Sequence, residues 1–153
     1  MCRYNPILDR VSDQELRTAY NNRFRAQAGQ TFSSSREVAD HLASYLADRD
    51  RETFVVLFLN GRNALISTEI VFEGTLTQAV IFPREIVKYA LLKNAAGLIC
   101  GHNHPSGAVQ PSGDDQRITR KIKGACEAVG VQLLDHLIIA SGEYFSFADG
   151  GLL

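Results

Sequence analysis

Apolar residues recur at helical spacing behind two Ser-x-x-Glu boxes. Leu16, Ala19, Tyr20 and Phe24 follow Ser12-Asp13-Gln14-Glu15, and Val38, Leu42, Tyr45 and Leu46 follow Ser34-Ser35-Arg36-Glu37. Each box satisfies the open N–H groups of a first helical turn, so both segments read as helices, with a linker from Gly29 to Ser33. Thr53 to Leu59 is a near-continuous apolar run of strand length, Ala64 to Phe72 reads as its partner, and Asn60-Gly61 between them predicts a type I′ hairpin. Ala79 to Phe82 reads as a short strand, and Pro83 opens a helix that turns Ile86, Val87, Ala90 and Leu91 inward. A buried strand over Ala96 to Cys100, a helix over Asp114 to Val129 stopped by Gly130, and strands at Val131 to Ala140 and Tyr144 to Phe147 complete the pattern. Strands interleaved with helices, with one obligatory antiparallel pair, predict an α/β fold, an α/β/α sandwich around a mixed sheet.

A chain of 153 residues is the size of one ordinary domain. The compact domain is expected over 33–153, with 1–32 an N-terminal extension carrying the first short helix. A formal net charge of -1 with 22% charged residues gives no bulk attraction for nucleic acid or an anionic membrane. No apolar run reaches membrane-spanning length, and the first residues lack the apolar core of a secretory signal, so a cytoplasmic location is expected. Cys2, Cys100 and Cys126 are odd in number and scattered, which suits reduced thiols better than a disulfide framework or a Cys-x-x-Cys metal clip.

Candidate chemistry concentrates in Gly101-His102-Asn103-His104-Pro105 and in Ser112 and Asp115. In extended backbone, residues two apart point the same way, so His102 and His104 aim both imidazoles at one point, and Asp115 returns a carboxylate after a Gly/Pro-rich loop. Two imidazoles and one carboxylate make three ligands for a divalent cation such as Zn²⁺, with a remaining position open to water. Ser112 and Asp115 also stand at capping spacing, and the two purposes are compatible, because a capped first turn fixes the carboxylate. A hydrolytic site of this type needs a general base or acid, usually a glutamate. Glu52, Glu69, Glu73 and Glu85 lie upstream, and periodicity does not choose among them. Glu52 stands at the entrance to the most buried strand, but it also ends the charged run Asp48-Arg49-Asp50-Arg51-Glu52. His136, flanked by apolar residues, reads as a structural or supporting histidine tied by a hydrogen bond. His41 reads as part of its helix's polar face, and Arg117, Arg120 and Lys121 as the solvated face of the later helix.

His102-x-His104, seven further residues, Ser112, two more and Asp115 resemble the signature of the JAMM (MPN⁺) metalloproteases. More narrowly, Pro83-Arg84-Glu85, Asn94-Ala95-Ala96, His102 to Gly107, Pro111-Ser112 and Asp135-His136 resemble the RadC-like branch of that family, from about Ser33 to the C-terminus. The resemblance implies a cytidine-deaminase-like α/β/α fold, with zinc held by His102, His104, Asp115 and water. It selects Glu52 as the base, because the family's glutamate begins the strand before the hairpin, and it implies that Ser112 assists at the oxyanion. Asn103 stands where the deubiquitinating members have Ser or Thr, so a ubiquitin-like substrate is not implied.

The leading expectation is a zinc-dependent peptide or isopeptide hydrolase acting on a peptide or protein, with the substrate and the oligomeric state left open. The alternative is a RadC-like binding or scaffold module in DNA repair or metabolism, with a largely structural metal and nucleic acid as partner. The near-neutral charge ranks it lower. A two-His-one-carboxylate iron oxygenase shares the ligand types but differs in their usual order. A zinc deaminase needs a Pro-Cys-x-x-Cys that this chain lacks.

Overall fold

Alternate residues of the central strands are buried on opposite faces of one sheet, which divides the core in two. The computed structural model, which describes residues 10–74 and 81–153, places two helices before the first strand: α1 (Asp13–Phe24) and α2 (Ser35–Leu46). Then come β1 (Glu52–Leu59), β2 (Leu65–Gly74), α3 (Pro83–Leu92), β3 (Gly97–Asn103), α4 (Gly113–Glu127), β4 (Gln132–Ala140) and β5 (Glu143–Ser146). The sheet order is β2-β1-β3-β4-β5. Among the described residues only β3 and β4 run parallel, joined by α4, and the other neighbours are antiparallel. The mixed sheet and the α/β architecture therefore stand as expected.

One face packs Phe54, Val56, Phe58, Leu98 and Cys100 against Ile86 and Ala90 of α3 and Ile118, Ile122 and Cys126 of α4. The other packs Val55, Leu57, Ile99, Leu137 and Ile139 against Val38, Ala39, Leu42 and Leu46 of α2. Gly101 lets α2 lie close to β3, since a Cβ there would meet Leu42 Cδ1 at 2.5 Å. Outside α2 lies α1, which buries no residue fully. It is fastened by Tyr20 Oη donating to the Asp40 carbonyl at 3.2 Å, and just beyond its end Arg25 donates to Ser44 Oγ and the Ser44 carbonyl, each at 2.9 Å.

The capping box at Ser12 forms with both reciprocal hydrogen bonds. That at Ser34 is displaced: Ser34 caps the Glu37 N–H, while the Glu37 carboxylate reaches back to the N–H and hydroxyl of Ser33. The hairpin also differs from the type I′ expectation. The positive φ falls on Asn63 (58°) and not on Gly61, and the Asn60 side chain accepts the N–H groups of Arg62 and Ala64. Three residues thus span the turn, the last in the left-handed region, because two asparagines supply what the Asn-Gly pair was expected to supply. Of the expected strand at 79–82, Ile81 and Phe82 are irregular, and 79–80 lie outside the described residues. Leu91, expected inward, is 53% exposed at the end of α3.

His41 is a larger correction, being fully buried instead of solvated. Its Nδ1 accepts the Ala26 N–H at 2.8 Å, so Nε2 carries the proton of the neutral ring and donates to Thr68 Oγ1 at 2.8 Å. The ring joins the segment after α1 to β2 through α2. No helix among the described residues is long and apolar enough to cross a membrane.

Candidate metal centre

Because β1 runs antiparallel to β3, the start of β1 and the end of β3 meet at one end of the sheet. The chain leaves β3 there to begin α4, so the N-terminal turn of α4 opens at the same place, the usual ligand-binding end of a parallel βαβ unit. His102 lies within β3, and His104 continues its extended path, its N–H donating to the Ile139 carbonyl at 3.1 Å. Period-two geometry therefore puts both imidazoles on one face.

Asp115 occupies the third position of α4. The Ser112 N–H donates to Asp115 Oδ2 at 2.8 Å, and Ser112 Oγ accepts the Asp115 N–H at 3.0 Å. This capping box fixes the carboxylate. His102 Nε2 and His104 Nε2 are 3.0 Å apart, and each lies 3.1 Å from an Asp115 oxygen. All three residues could hold a metal ion. The spacing is close to the roughly 3.3 Å edge of a tetrahedron with bonds of about 2.05 Å, as Zn–N and Zn–O bonds require.

The surrounding hydrogen bonds set which nitrogens are protonated. Thr119 Oγ1 gives its only proton to the Asp115 carbonyl at 2.6 Å, so at 2.6 Å from His136 Nδ1 it accepts, and His136 carries its proton on Nδ1. His136 is fully buried, and burial pushes its pKa well below the ordinary histidine value, so the ring is neutral. Its bare Nε2 then accepts the proton on His102 Nδ1 across 2.8 Å. His104 Nδ1 donates to the Ala108 carbonyl at 2.6 Å. With each Nδ1 engaged as a donor, Nε2 is the nitrogen that both rings turn toward the carboxylate and leave for ligation. That donor set fits a cation, and imidazole with carboxylate suits Zn²⁺ and its first-row neighbours better than Mg²⁺ or Ca²⁺. In the absence of a cation a proton takes its place: the Asp115 hydrogen bond raises the His104 pKa against the opposing effect of burial. Burial alone would raise the Asp115 carboxyl, but the hydrogen bonds from His102 and His104 outweigh it and hold that group well below the usual carboxylate range.

Glu52 opens β1 two residues before Phe54, whose register partner is His102. Period two along each strand puts Glu52 on the face of Phe54 and His104 on the face of His102, which is one face of the sheet. Both line a pocket of about 400 Å³ with Ser112 and Asp115. The other upstream glutamates are engaged elsewhere: Glu69 with Lys93 at 2.9 Å, Glu73 with Arg49, and Glu85 with Arg84 at 3.8 Å. A second pocket, of about 730 Å³, opens on the α2 side of the sheet and shares His104 with the first.

His136 is the supporting histidine anticipated from its apolar flanks, stacked on Phe147 at 4.8 Å and edge-on to Phe54 at 5.4 Å. Thr119 and Ala108 escape sequence reasoning. A threonine four residues beyond a helical ligand is a usable signal for the first, since its hydroxyl reaches the carbonyl one turn back. The Ala108 carbonyl leaves no sequence trace. Arg117, Arg120 and Lys121 are exposed, as expected of a solvated face.

A family model described as a RadC-like JAB domain matches residues 32–152. A UPF0758 protein of Vibrio vulnificus is 47% identical over 125 residues, 82% of this chain and 56% of that protein. A UPF0758 protein of Thiobacillus denitrificans is 47% identical over 147 residues, 96% of this chain and 64% of that one. The chain thus spans less than two thirds of the length of these relatives. With the matched segment covering both faces of the sheet and the whole ligand set, the chain belongs to the RadC-like JAB domain family.

Proposed function

We propose that this protein is a zinc-dependent hydrolase of peptide or isopeptide bonds. The observation that carries the reading is the convergence of three lone-pair donors, His102 Nε2, His104 Nε2 and the Asp115 carboxylate, beside a pocket that Glu52 and Ser112 also line. A divalent cation, when bound, supplies Lewis acidity, polarising a carbonyl and lowering the pKa of a coordinated water to about 7. Glu52, held at the entrance to β1, takes a proton from the attacking water and delivers it to the leaving amine as the C–N bond breaks. Ser112 Oγ accepts the Asp115 N–H, a bond that does not consume its hydroxyl proton, and the hydroxyl donates a hydrogen bond to the oxyanion while keeping that proton. The substrate is a peptide or protein segment laid across the open pocket.

The test pairs metal analysis of the wild type and His102→Ala with a screen of peptide and isopeptide libraries. Zinc near one equivalent is expected in the wild type and little in the variant. Glu52→Gln should keep the metal and lose about 10²–10⁴ in rate. A wild type that holds zinc stoichiometrically and cleaves nothing would overturn the reading.

A further inference from the structure

The ladder between β1 and β3 stops at Phe54 and His102. Beyond that pair the strands part, because β3 stays with β4 through the His104 N–H to Ile139 carbonyl bond. The Asn103 side chain, 4% exposed, fills the opening. Its Oδ1 accepts the Thr53 N–H at 2.7 Å, and its Nδ2 donates to the Arg51 carbonyl at 3.0 Å and the Arg49 carbonyl at 3.3 Å. The Arg51 carbonyl also receives the Thr53 hydroxyl at 3.3 Å.

The Arg51 carbonyl and the Thr53 N–H belong to the two peptide units on either side of the Glu52 Cα. One carboxamide therefore pins both peptide planes, and with them the φ and ψ that aim the Glu52 side chain. We propose that Asn103 is the positioning residue for Glu52, coupling the strand that presents the metal ligands to the segment that presents the base. The assignment rests on the reading of Glu52 as the proton-transfer group. Its chemistry is specific to a carboxamide, which offers an acceptor and donors from one rigid plane. Aspartate has no donor for the carbonyls, serine has a single proton, and leucine has neither function. Because His102 and His104 flank Asn103 on the opposite face of the same strand, the ligands and the base share one frame.

The experiment compares the full chain with Asn103→Leu and with Asn103→Ser, a smaller change that removes the clamp without adding an apolar branch. Each is loaded with Co²⁺, whose absorption spectrum reports the ligand set and is expected to be unchanged. The Thr53 amide should exchange at least about ten-fold faster in the variants, since its buried partner is gone. Co²⁺-induced relaxation of the Glu52 carboxyl carbon should weaken as that group leaves its fixed position. With a cleavable peptide, kcat should fall while KM holds, and the fall should vanish in the Glu52→Gln background. Wild-type Thr53 protection and Glu52 relaxation in either Co²⁺-loaded variant would overturn the assignment. If instead both readouts change as expected while the wild type cleaves no peptide, Asn103 keeps its role and the hydrolase reading falls.

Discussion

His102 Nδ1 lies 2.8 Å from His136 Nε2, and that contact decides which nitrogen of His102 is available for ligation. The Thr119 hydroxyl, bonded to the Asp115 carbonyl, sets the tautomer of His136, and His136 sets that of His102. A ligand of the candidate centre thus depends on the backbone of another ligand through two buried side chains. Thr119→Val removes the hydroxyl at nearly constant volume. Metal affinity should fall about 10–100-fold, the usual scale for losing a group that orients a ligating histidine. Competitive titration against a chelator measures it, and unchanged affinity would show that the relay does not hold the ring.

Protons and a cation compete for the same lone pairs. The Asp115 hydrogen bond raises the His104 pKa above its ordinary value, so at low pH His104 is charged and a cation must displace its proton. Metal affinity should therefore be constant above the raised His104 pKa and decline as pH falls through it. Calorimetry in buffers of different ionisation enthalpy should detect proton release on binding that grows in the same interval. Release that stays at zero across the range would contradict the coupling.

His41 gives folding stability its own pH dependence. Burial, with the Arg25 charge in support, lowers its pKa from 6.5 to about 4. The folded state thus resists a proton that the unfolded chain accepts, so the contribution is complete above pH 6.5 and is lost as pH falls toward about 4. The loss amounts to about 3 kcal/mol at the lower limit, and buried His136 adds in the same direction. His41→Asn, whose carbonyl can still accept the Ala26 N–H, should be less stable at pH 7 but show a shallower slope in urea denaturation. An identical slope would place the proton uptake elsewhere.

Gly101 is required for space and not for conformation, as its φ lies outside the left-handed region. In Gly101→Ala the new Cβ would fall 2.5 and 2.7 Å from the two Leu42 methyls, and Leu42 is fully buried in the core. Overpacking of this kind costs about 1–3 kcal/mol. Thermal denaturation should show the loss, and Leu42→Ala in the same chain should recover part of it. Strict additivity of the two changes would rule the contact out as the cause.

The features legible from sequence are those fixed by neighbours a few residues apart. The capping boxes of Ser12 and Ser112, the shared face of His102 and His104, and the apolar strand behind Glu52 all depend on local backbone geometry. The misread features depend on partners distant in the chain. His41, three residues after Val38 and four before Tyr45, stands at the edge of its helix's apolar stripe. As an ionisable residue it reads as solvated, but it is buried because Ala26 and Thr68 arrive from two other elements to satisfy its nitrogens. Asn103 is silent for the same reason, since its partners at Arg49, Arg51 and Thr53 lie half a domain upstream. The hairpin departs from type I′ because Asn63, itself tolerant of positive φ, takes the left-handed position and leaves none for Gly61.

The bond from His104 Nδ1 to the Ala108 carbonyl has a practical corollary for retargeting the protein. The segment between the histidines and α4 rims the candidate pocket, which makes it the natural place to graft new specificity. It also supplies the acceptor that orients a ligating ring. A library randomised there without preserving that carbonyl would screen for retention of the ion before it screened for recognition, and clones lost at the first hurdle would be mistaken for failures at the second.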